Sequence, residues 1–369
     1  MPCSARRRQR SGKWRDLNQQ VKLSLDIIIK LSVPFISMVE FPVAPVFESF
    51  APRPYLRNRH AMTLAGNFLR RKSNLPEAED CLFRVDADAQ VLCHCHWQSE
   101  AERHPTVIIV HGLEGSSLSR YVIGNADKAW AAGMNVVRMN MRTCGGTEGL
   151  ASTLYHSGLS SDVGAVLRGV IEQKRVQRIG LIGYSMGGNL VLKLAGELGA
   201  NVPAELKVIA AVSPAADLAA SADAMHVGGN RIYEWKFLLS LMRTFERKRK
   251  LFPDRYKKVA RFPVSIREFD DVITARYCGF EGAQDYYTRA AAARVIDKIT
   301  LPSLIIHAAD DPFIRLLPET RAKITSNPHI TLLEPAHGGH CAFLAQPNGD
   351  DGRWAERQIL HFFRHHGMS

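Results

Sequence analysis

The sequence predicts an α/β fold: a mostly parallel central sheet with helices on both faces, interrupted by an inserted helical segment. Three observations predict it. Short β-branched runs alternate with helical stretches from residue 107 onward. A strand, a Gly-x-Ser-x-Gly turn and a helix follow one another over residues 178–198. From residue 214 to residue 296 the strand series stops, and helical, aromatic and basic sequence replaces it.

Each element has its own signal. Val107-Ile108-Ile109-Val110 is a continuous apolar run ending at His111-Gly112, the pattern of a strand buried on both faces. Tyr121–Ala132 reads as a helix stopped by Gly133, and Asn135–Met141 as the next strand, ending in the turn-rich Thr143-Cys144-Gly145-Gly146-Thr147. Ser161–Lys174 is a helix with Asp162 near its positive end. Arg178–Gly183 is a strand, Gly188–Leu198 a helix and Leu206–Val212 another buried strand. After the helical segment, Leu304–His307 and Thr331–Glu334 resume the strand series, and Trp354–His365 closes it as a helix. The expected domains are therefore a basic, disordered arm at 1–38, core at 39–213, a helical lid at 214–296 and core again at 297–369. An alternative for the arm is translation starting at Met38.

The net charge of +12 is local. Residues 1–30 carry a net +6 and residues 242–261 a net +7, so the rest of the chain is near neutral. The hydrophobic fraction of 46% is that of an ordinary globular protein, and no apolar run is long enough to span a bilayer. Seven irregularly spaced cysteines argue against a disulfide scaffold and for a reducing, cytoplasmic setting. The apolar stretch Leu23–Val39 is broken by Asp26, Lys30 and Pro34, which disfavours an export signal.

The chemistry centres on Gly183-Tyr184-Ser185-Met186-Gly187. Strand, sharp turn and helix together make a nucleophile elbow, in which the serine is held in a strained conformation and the glycines let neighbouring backbone approach. A serine hydroxyl needs a base to take its proton. In this arrangement an acid and then a histidine follow along the chain. The loop after Leu304–His307 offers Asp310 and Asp311, and Asp311 is preferred for its spacing and the Pro312-Phe313-Ile314 that follows. The base is expected after the last strand in His337-Gly338-Gly339-His340, with His340 preferred over His337 and a helix expected near Phe343-Leu344. The amides of Met186 and Leu113 are the expected oxyanion donors.

Three other signals read as structural. Cys93-His94-Cys95-His96 on a strand sends its cysteines to one face and its histidines to the other, which spoils a tetrahedral metal site. Asp270-Asp271 falls in the expected lid and reads as part of a salt bridge. The basic run Arg243–Arg261 lacks any aromatic stacking motif, so it reads as a solvated or membrane-facing lid surface rather than a nucleic-acid site. In the lid, Trp235, Leu238, Leu239 and Met242 recur at helical spacing as one apolar face.

These residues occur in an order that resembles the YheT-like branch of the α/β-hydrolases, also called the AB hydrolase 4 family. The matching segments are Tyr55–His60 with Thr63-Leu64, His111–Ser116, Arg142 with Gly145-Gly146-Thr147, Leu154–Gly158 before Asp162, and Gly183–Asn189. Phe269-Asp270-Asp271, Gly279-Phe280, Asp285-Tyr286-Tyr287, Asp310–Phe313 and Gly338-Gly339-His340 complete them. Met62 departs from the family, which usually has Gln there. The resemblance implies an α/β-hydrolase fold with a lid and a Ser185, Asp311, His340 triad cleaving carboxylic esters, with short- to medium-chain or acylglycerol-like lipid esters as substrates. No metal and no organic cofactor is implied. The partner implied is the ester or lipid substrate; the basic run Arg243–Arg261 adds a peripheral membrane surface as a candidate and no nucleic acid. The rival readings are an acyltransferase or thioesterase with the same triad, and a non-catalytic lipid-binding protein.

Overall fold

The computed structural model describes residues 45–369. The expected arm at 1–38 lies outside the described residues. The strands are β1 (Glu79–Asp86), β2 (Ala89–His96), β3 (Thr106–Val110), β4 (Asn135–Met139), β5 (Ile179–Tyr184), β6 (Leu206–Val212), β7 (Ser303–Ile306) and β8 (Ile330–Leu333). They form one sheet in the order β1-β2-β4-β3-β5-β6-β7-β8. Strands β3 to β8 are parallel, while β2 pairs antiparallel with β1 and with β4. The helices are α1 (Arg59–Phe68), α2 (Arg120–Ala131), α3 (Ser160–Lys174), α4 (Met186–Leu198), α5 (Leu218–Met225), α6 (Arg231–Leu251), α7 (Ala283–Ala290), α8 (Pro318–Ser326) and α9 (Trp354–His365).

Alternation along the buried strands builds two apolar layers. Val107 and Ile109 of β3 face α2 and α9, where Val122, Ile359 and Phe363 meet them. Ile108 and Val110 face the opposite layer with Val163 and Val166 of α3 and Leu190 of α4. Every residue of β3, β4 and β5 is buried, and β3 and β5 accordingly read as continuous apolar runs, while β4 buries Asn135 and Arg138 as well. Because the central strands are parallel, their C-terminal ends share one edge of the sheet, the edge where open α/β sheets bind ligands. Leu113 follows β3, Ser185 follows β5, Asp311 follows β7 and His340 follows β8, so one edge collects all four.

Between β6 and β7 the described chain is helical, as expected. It comprises α5, α6, a segment Ile266–Cys278 with a π-helical turn at Asp270–Ala275, and α7. The apolar face of α6 differs from the expected one. Leu238, Leu241, Met242 and Phe245 are buried, whereas Trp235 is 43% and Leu239 42% exposed. Leu238 recurs with Met242 and Phe245 every three or four residues, and Trp235 and Leu239 lie outside that stripe. The basic run is likewise not simply solvated. Lys248 is fully buried and its ammonium donates to the Glu148 carbonyl at 3.0 Å and to the Ala151 carbonyl, while Arg247 pairs with Glu148.

Two further features were not expected. Strand β1 pairs with β2 and extends the sheet at an edge where β1 is largely exposed, so the polar sequence of β1 carried no buried-strand signal. No helix forms near Phe343-Leu344. Cys341 and Phe343 have φ of 61° and 42°, which no helix tolerates, and Leu344 instead bridges to Arg353. Among the described residues no helix is long and apolar enough to cross a membrane.

Candidate active site

The elbow forms because two glycines permit it. A Cβ on Gly183 would lie 2.3 Å from the Gly187 carbonyl oxygen, and one on Gly187 would lie 2.4 Å from the carbonyl oxygens of Val110 and His111. Only hydrogen fits at either place, so the turn tightens until Ser185 sits at φ 53° and ψ −114°. Such strain costs on the order of 1–3 kcal/mol. The surroundings hold it: the Ser185 amide donates to the Val212 carbonyl at 2.9 Å, and its carbonyl accepts from Asn189 and Ala215 at 3.1 Å.

The other expected residues converge on this serine. His340 Nε2 lies 3.0 Å from Ser185 Oγ, and His340 Nδ1 lies 2.9 Å from Asp311 Oδ2. Asp311 is buried, and its Oδ1 accepts from the amides of Phe313 at 3.1 Å and Ile314 at 2.9 Å. Burial pushes its carboxyl up, but the His340 imidazole and these amides outweigh that and hold it below the usual carboxylate range. For His340 the balance is opposite. Burial pulls the imidazole down, while the Cys341 sulfur and the Asp311 carboxylate beside it leave it raised above an ordinary histidine. The His340 amide is fixed by Thr63 Oγ1 of α1 at 2.9 Å.

Asp310 turns away from His340. Its carboxylate accepts from the Gly339 amide at 2.9 Å and meets His337 Nδ1 at 3.3 Å, so it braces the loop that carries His340. The structure thus brings Asp311 and His340 to Ser185 and leaves Asp310 and His337 as a second pair beside them.

The amides of Leu113 and Met186 find no acceptor among the described residues. The loop carrying Leu113 lies against the serine, since a Cβ on Gly112 would sit 3.1 Å from Ser185 Cβ. His111 holds that loop. Its Nε2 accepts from the Met141 amide at 3.1 Å, which leaves Nδ1 as the donor to the Gly112 carbonyl at 2.8 Å. Burial pushes the His111 imidazole down to about 4, so it is neutral in this role. Glu114, at φ 53°, accepts hydrogen bonds from Tyr155, Ser240 and Thr244, joining the loop to α6. Asn189 of α4 ties the elbow helix to the insertion by donating to the Ser157 and Ala290 carbonyls and accepting from the Ala292 amide. Arg142 and Asp162 form a buried pair through two bonds of 2.6 and 2.7 Å. Asp162 is therefore chiefly a counter-ion, not merely a charge near a helix end.

Two cavities meet at Ser185. The first, of about 110 Å³, is mainly apolar and includes Leu113, Met186, Phe237, Leu241, Phe245 and Phe313 in its wall. The second, of about 350 Å³, is a more polar groove that includes His340, Thr63, Glu114 and Arg353 in its wall. Asp270 reaches the first cavity and differs from expectation, because among the described residues no cation pairs with it. The hydroxyls of Thr274 and Tyr287 donate to it at 2.7 Å, and burial pushes its carboxyl up to about 6 against those bonds. Elsewhere, Cys93 and Cys95 sit in the core, and on the opposite face His94 contacts Ser117 and His96 contacts Arg138.

Comparison with known proteins agrees with this architecture. A model of the alpha/beta hydrolase fold matches residues 105–347. The chain is 32% identical over 320 residues to "Putative esterase YheT" of Escherichia coli (strain K12), covering 84% of this chain and 91% of that one. It is 27% identical to "Monoacylglycerol lipase" of Saccharomyces cerevisiae (strain ATCC 204508 / S288c), covering 70% of this chain and 59% of that protein. Among solved structures, Est1E from Butyrivibrio proteoclasticus with bound ferulic acid superposes with a TM-score of 0.51 at 17% identity, covering 78% of this chain and 98% of that chain. The chain belongs to the α/β-hydrolase family.

Proposed function

We propose that the chain is a serine hydrolase of carboxylic esters, with Ser185 as nucleophile, His340 as base and Asp311 as its partner. The observation that carries this reading is the unbroken series of hydrogen bonds from Asp311 through His340 to Ser185, at 2.9 and 3.0 Å, beside two unengaged amides. Ser185 Oγ attacks the ester carbonyl as His340 takes its proton. The Leu113 and Met186 amides hold the oxyanion, and Asp311 stabilises the imidazolium. The leaving alcohol then takes the proton from His340 Nε2. A water molecule, deprotonated by His340, attacks the acyl-enzyme and releases the acid.

The two cavities divide the substrate. The proton donor must stand beside the leaving oxygen, and His340 lines the polar groove, so the alcohol belongs there. The acyl chain belongs in the apolar cavity, beneath a lid formed by the helical segment 214–296. Each methylene buried there adds roughly 0.8 kcal/mol, which favours medium-chain over acetyl esters. The outward face of α6 carries Ile232, Trp235 and Leu239 with Lys236 and Arg243, a pattern suited to peripheral contact with an anionic lipid surface. The names of the relatives, esterase and monoacylglycerol lipase, support an ester substrate.

The experiment is a panel of p-nitrophenyl esters of graded chain length with wild type and Ser185→Ala. The proposal expects kcat/KM to rise from acetyl to octanoyl and the variant to be inactive. Absence of turnover on every ester by the wild type would contradict it.

A further inference from the structure

The apolar cavity contains a carboxylate that the proposed chemistry does not use. Asp270 opens the π-helical turn Asp270–Ala275 and stands in the wall of the cavity, 9% exposed. Single π-turns occur often at functional sites. Each oxygen of Asp270 accepts from one hydroxyl: Thr274 donates to Oδ1 and Tyr287 to Oδ2, both at 2.7 Å. A carboxylate has about four acceptor positions, so these two bonds leave room for another donor. Arg267 acts on Asp270 only from a distance. Its guanidinium stands 5.0 Å from the centre of the Tyr287 ring and pairs with Asp223 at 2.8 Å. Burial outweighs the two hydroxyls and Arg267 and pushes the carboxyl up to about 6, so the ionised form still predominates at neutral pH.

The same wall holds a second unused polar group. His156 Nδ1 accepts from the Gly158 amide at 3.1 Å, which leaves the ring proton on Nε2. Nε2 has no acceptor among the described residues and is open to space rather than sealed in the core. Burial, with Arg142, Arg289 and Lys193 adding to it, pushes this imidazole down to about 4 and keeps it neutral. His156 meets the Tyr286 ring edge-on at 6.0 Å, and Tyr286 packs on Tyr287 at 5.2 Å, so the histidine and the carboxylate belong to one aromatic cluster.

We propose that this part of the cavity binds a hydroxyl group carried on the acyl chain, with Asp270 as the acceptor, so that esters of hydroxylated medium-chain acids are preferred over their unsubstituted counterparts. The proposal rests on the serine-hydrolase reading above, because only then does the cavity hold the acyl chain. A hydroxyl suits this wall because it both donates and accepts. Asp270 repels an acyl chain ending in a carboxylate, and the His156 N–H has nothing to offer an ammonium group. A hydroxyl taken from water into a purely apolar cavity is disfavoured, so a site without these groups rejects the same substrate. A hydrogen bond to an ionised acceptor is about twice as strong as a neutral one, which turns rejection into preference. Asp270 and His156 make and break no covalent bond here, and the acyl transfer at Ser185 is unchanged.

The competing account is that Asp270 only joins the π-helical turn to α7 through Thr274 and Tyr287. It predicts lost stability in Asp270→Asn with unchanged selectivity, so selectivity is the readout. The substrates are ethyl octanoate and the ethyl octanoates hydroxylated at carbon three, six, seven or eight, compared through kcat/KM in the full chain. In the wild type at least one hydroxylated isomer should be favoured over octanoate by about tenfold or more, the scale of one hydrogen bond to a charged group. In Asp270→Asn that preference should fall by about tenfold. The oxo analogue of the favoured isomer is of similar size but has no hydroxyl proton to donate. It should lose the preference in the wild type, a comparison that does not depend on the variant folding. The absence of any favoured isomer, an unmoved ratio in folded Asp270→Asn, or an oxo analogue as good as the hydroxyl overturns the proposal. Calorimetric titration of Ser185→Ala with octanamide and the four hydroxyoctanamides separates the two readings. Selective binding of a hydroxyoctanamide, with no ester hydrolysed by the wild type, would sink the esterase reading but keep the hydroxyl site. Ester hydrolysis without any hydroxyl preference would do the reverse.

Discussion

The Glu114 carboxylate, one residue beyond the Leu113 amide, accepts a hydrogen bond from the Ser240 hydroxyl of α6. Thr244 of the same helix donates to the same oxygen at 3.1 Å, and Tyr155 donates to the other at 2.6 Å. The loop expected to hold the oxyanion is thereby fastened to the helix that walls the apolar cavity. Glu114→Ala should lower kcat by about 10- to 100-fold, somewhat less than outright loss of an oxyanion donor, with KM changing far less. The double variant Ser240→Ala, Thr244→Val should produce a smaller loss of the same kind. Steady-state kinetics on p-nitrophenyl octanoate decides it, and an effect confined to KM would mean that Glu114 does not position Leu113.

Asp311→Asn should cost more than Asp310→Asn. The first removes the charge facing His340 Nδ1, and the second only loosens the loop at Gly339. Loss of the acid in such a series lowers turnover by roughly 10⁴-fold. Turnover at equal folded concentration checks the order, and the reverse order would reassign the acid.

The pH profile follows from His340. Its imidazole must be neutral to act as base, and it is raised above an ordinary histidine, with Cys341 and Asp311 overcoming the effect of burial. Activity should therefore rise with pH through an acid limb above the ordinary histidine value of about 6.5. Cys341→Ala and Asp311→Asn should each move that limb to lower pH. A kcat/KM profile measures this, and a limb that stays in place in both variants would place its origin elsewhere.

The apolar cavity gives a prediction about size. Leu241 and Phe245 of α6 line it, so Leu241→Ala or Phe245→Ala should shift the chain-length optimum toward longer esters. Trp235 and Leu239 face outward, and their replacement should leave the optimum unchanged. A profile insensitive to Leu241 and Phe245 would remove the acyl chain from this cavity.

Stability should depend on Arg142. Replacing it with Met strands the buried Asp162 carboxylate, at a cost of about 3–5 kcal/mol. Denaturant unfolding measures the loss. A change below about 1 kcal/mol would show that the pair is of the weak, solvent-screened kind.

The parts of the fold legible in the sequence are those where one physical demand dominates. Val107–Val110 lies between two helical layers, so burial on both faces left a run without polar residues. The elbow was legible because only glycine permits the approach of Gly187 to the Val110 carbonyl. Trp354–His365 kept its expected bounds, with Ile359, Phe362 and Phe363 on its buried face. Strand β1 was not legible, since an exposed edge strand tolerates Glu79, Asp80 and Arg84. In α6 the helical spacing was clear but its phase was not. Glu234 and Lys248 are buried through specific partners, which breaks the rule that charge marks the outer face. Thr63 and Glu114 stood in the matching segments, but their contacts with His340 and Ser240 depend on long-range packing and left no local pattern.

The central claim is that Ser185, activated by His340, forms the acyl-enzyme. The most direct measurement is to treat the protein with a fluorophosphonate probe and locate the adduct by mass spectrometry of its peptides, with wild type and His340→Ala side by side. The account predicts one adduct, on Ser185, formed readily in the wild type and slowed by at least about 10³-fold in His340→Ala. Labelling of another residue, or labelling of Ser185 at the same rate without His340, would contradict it.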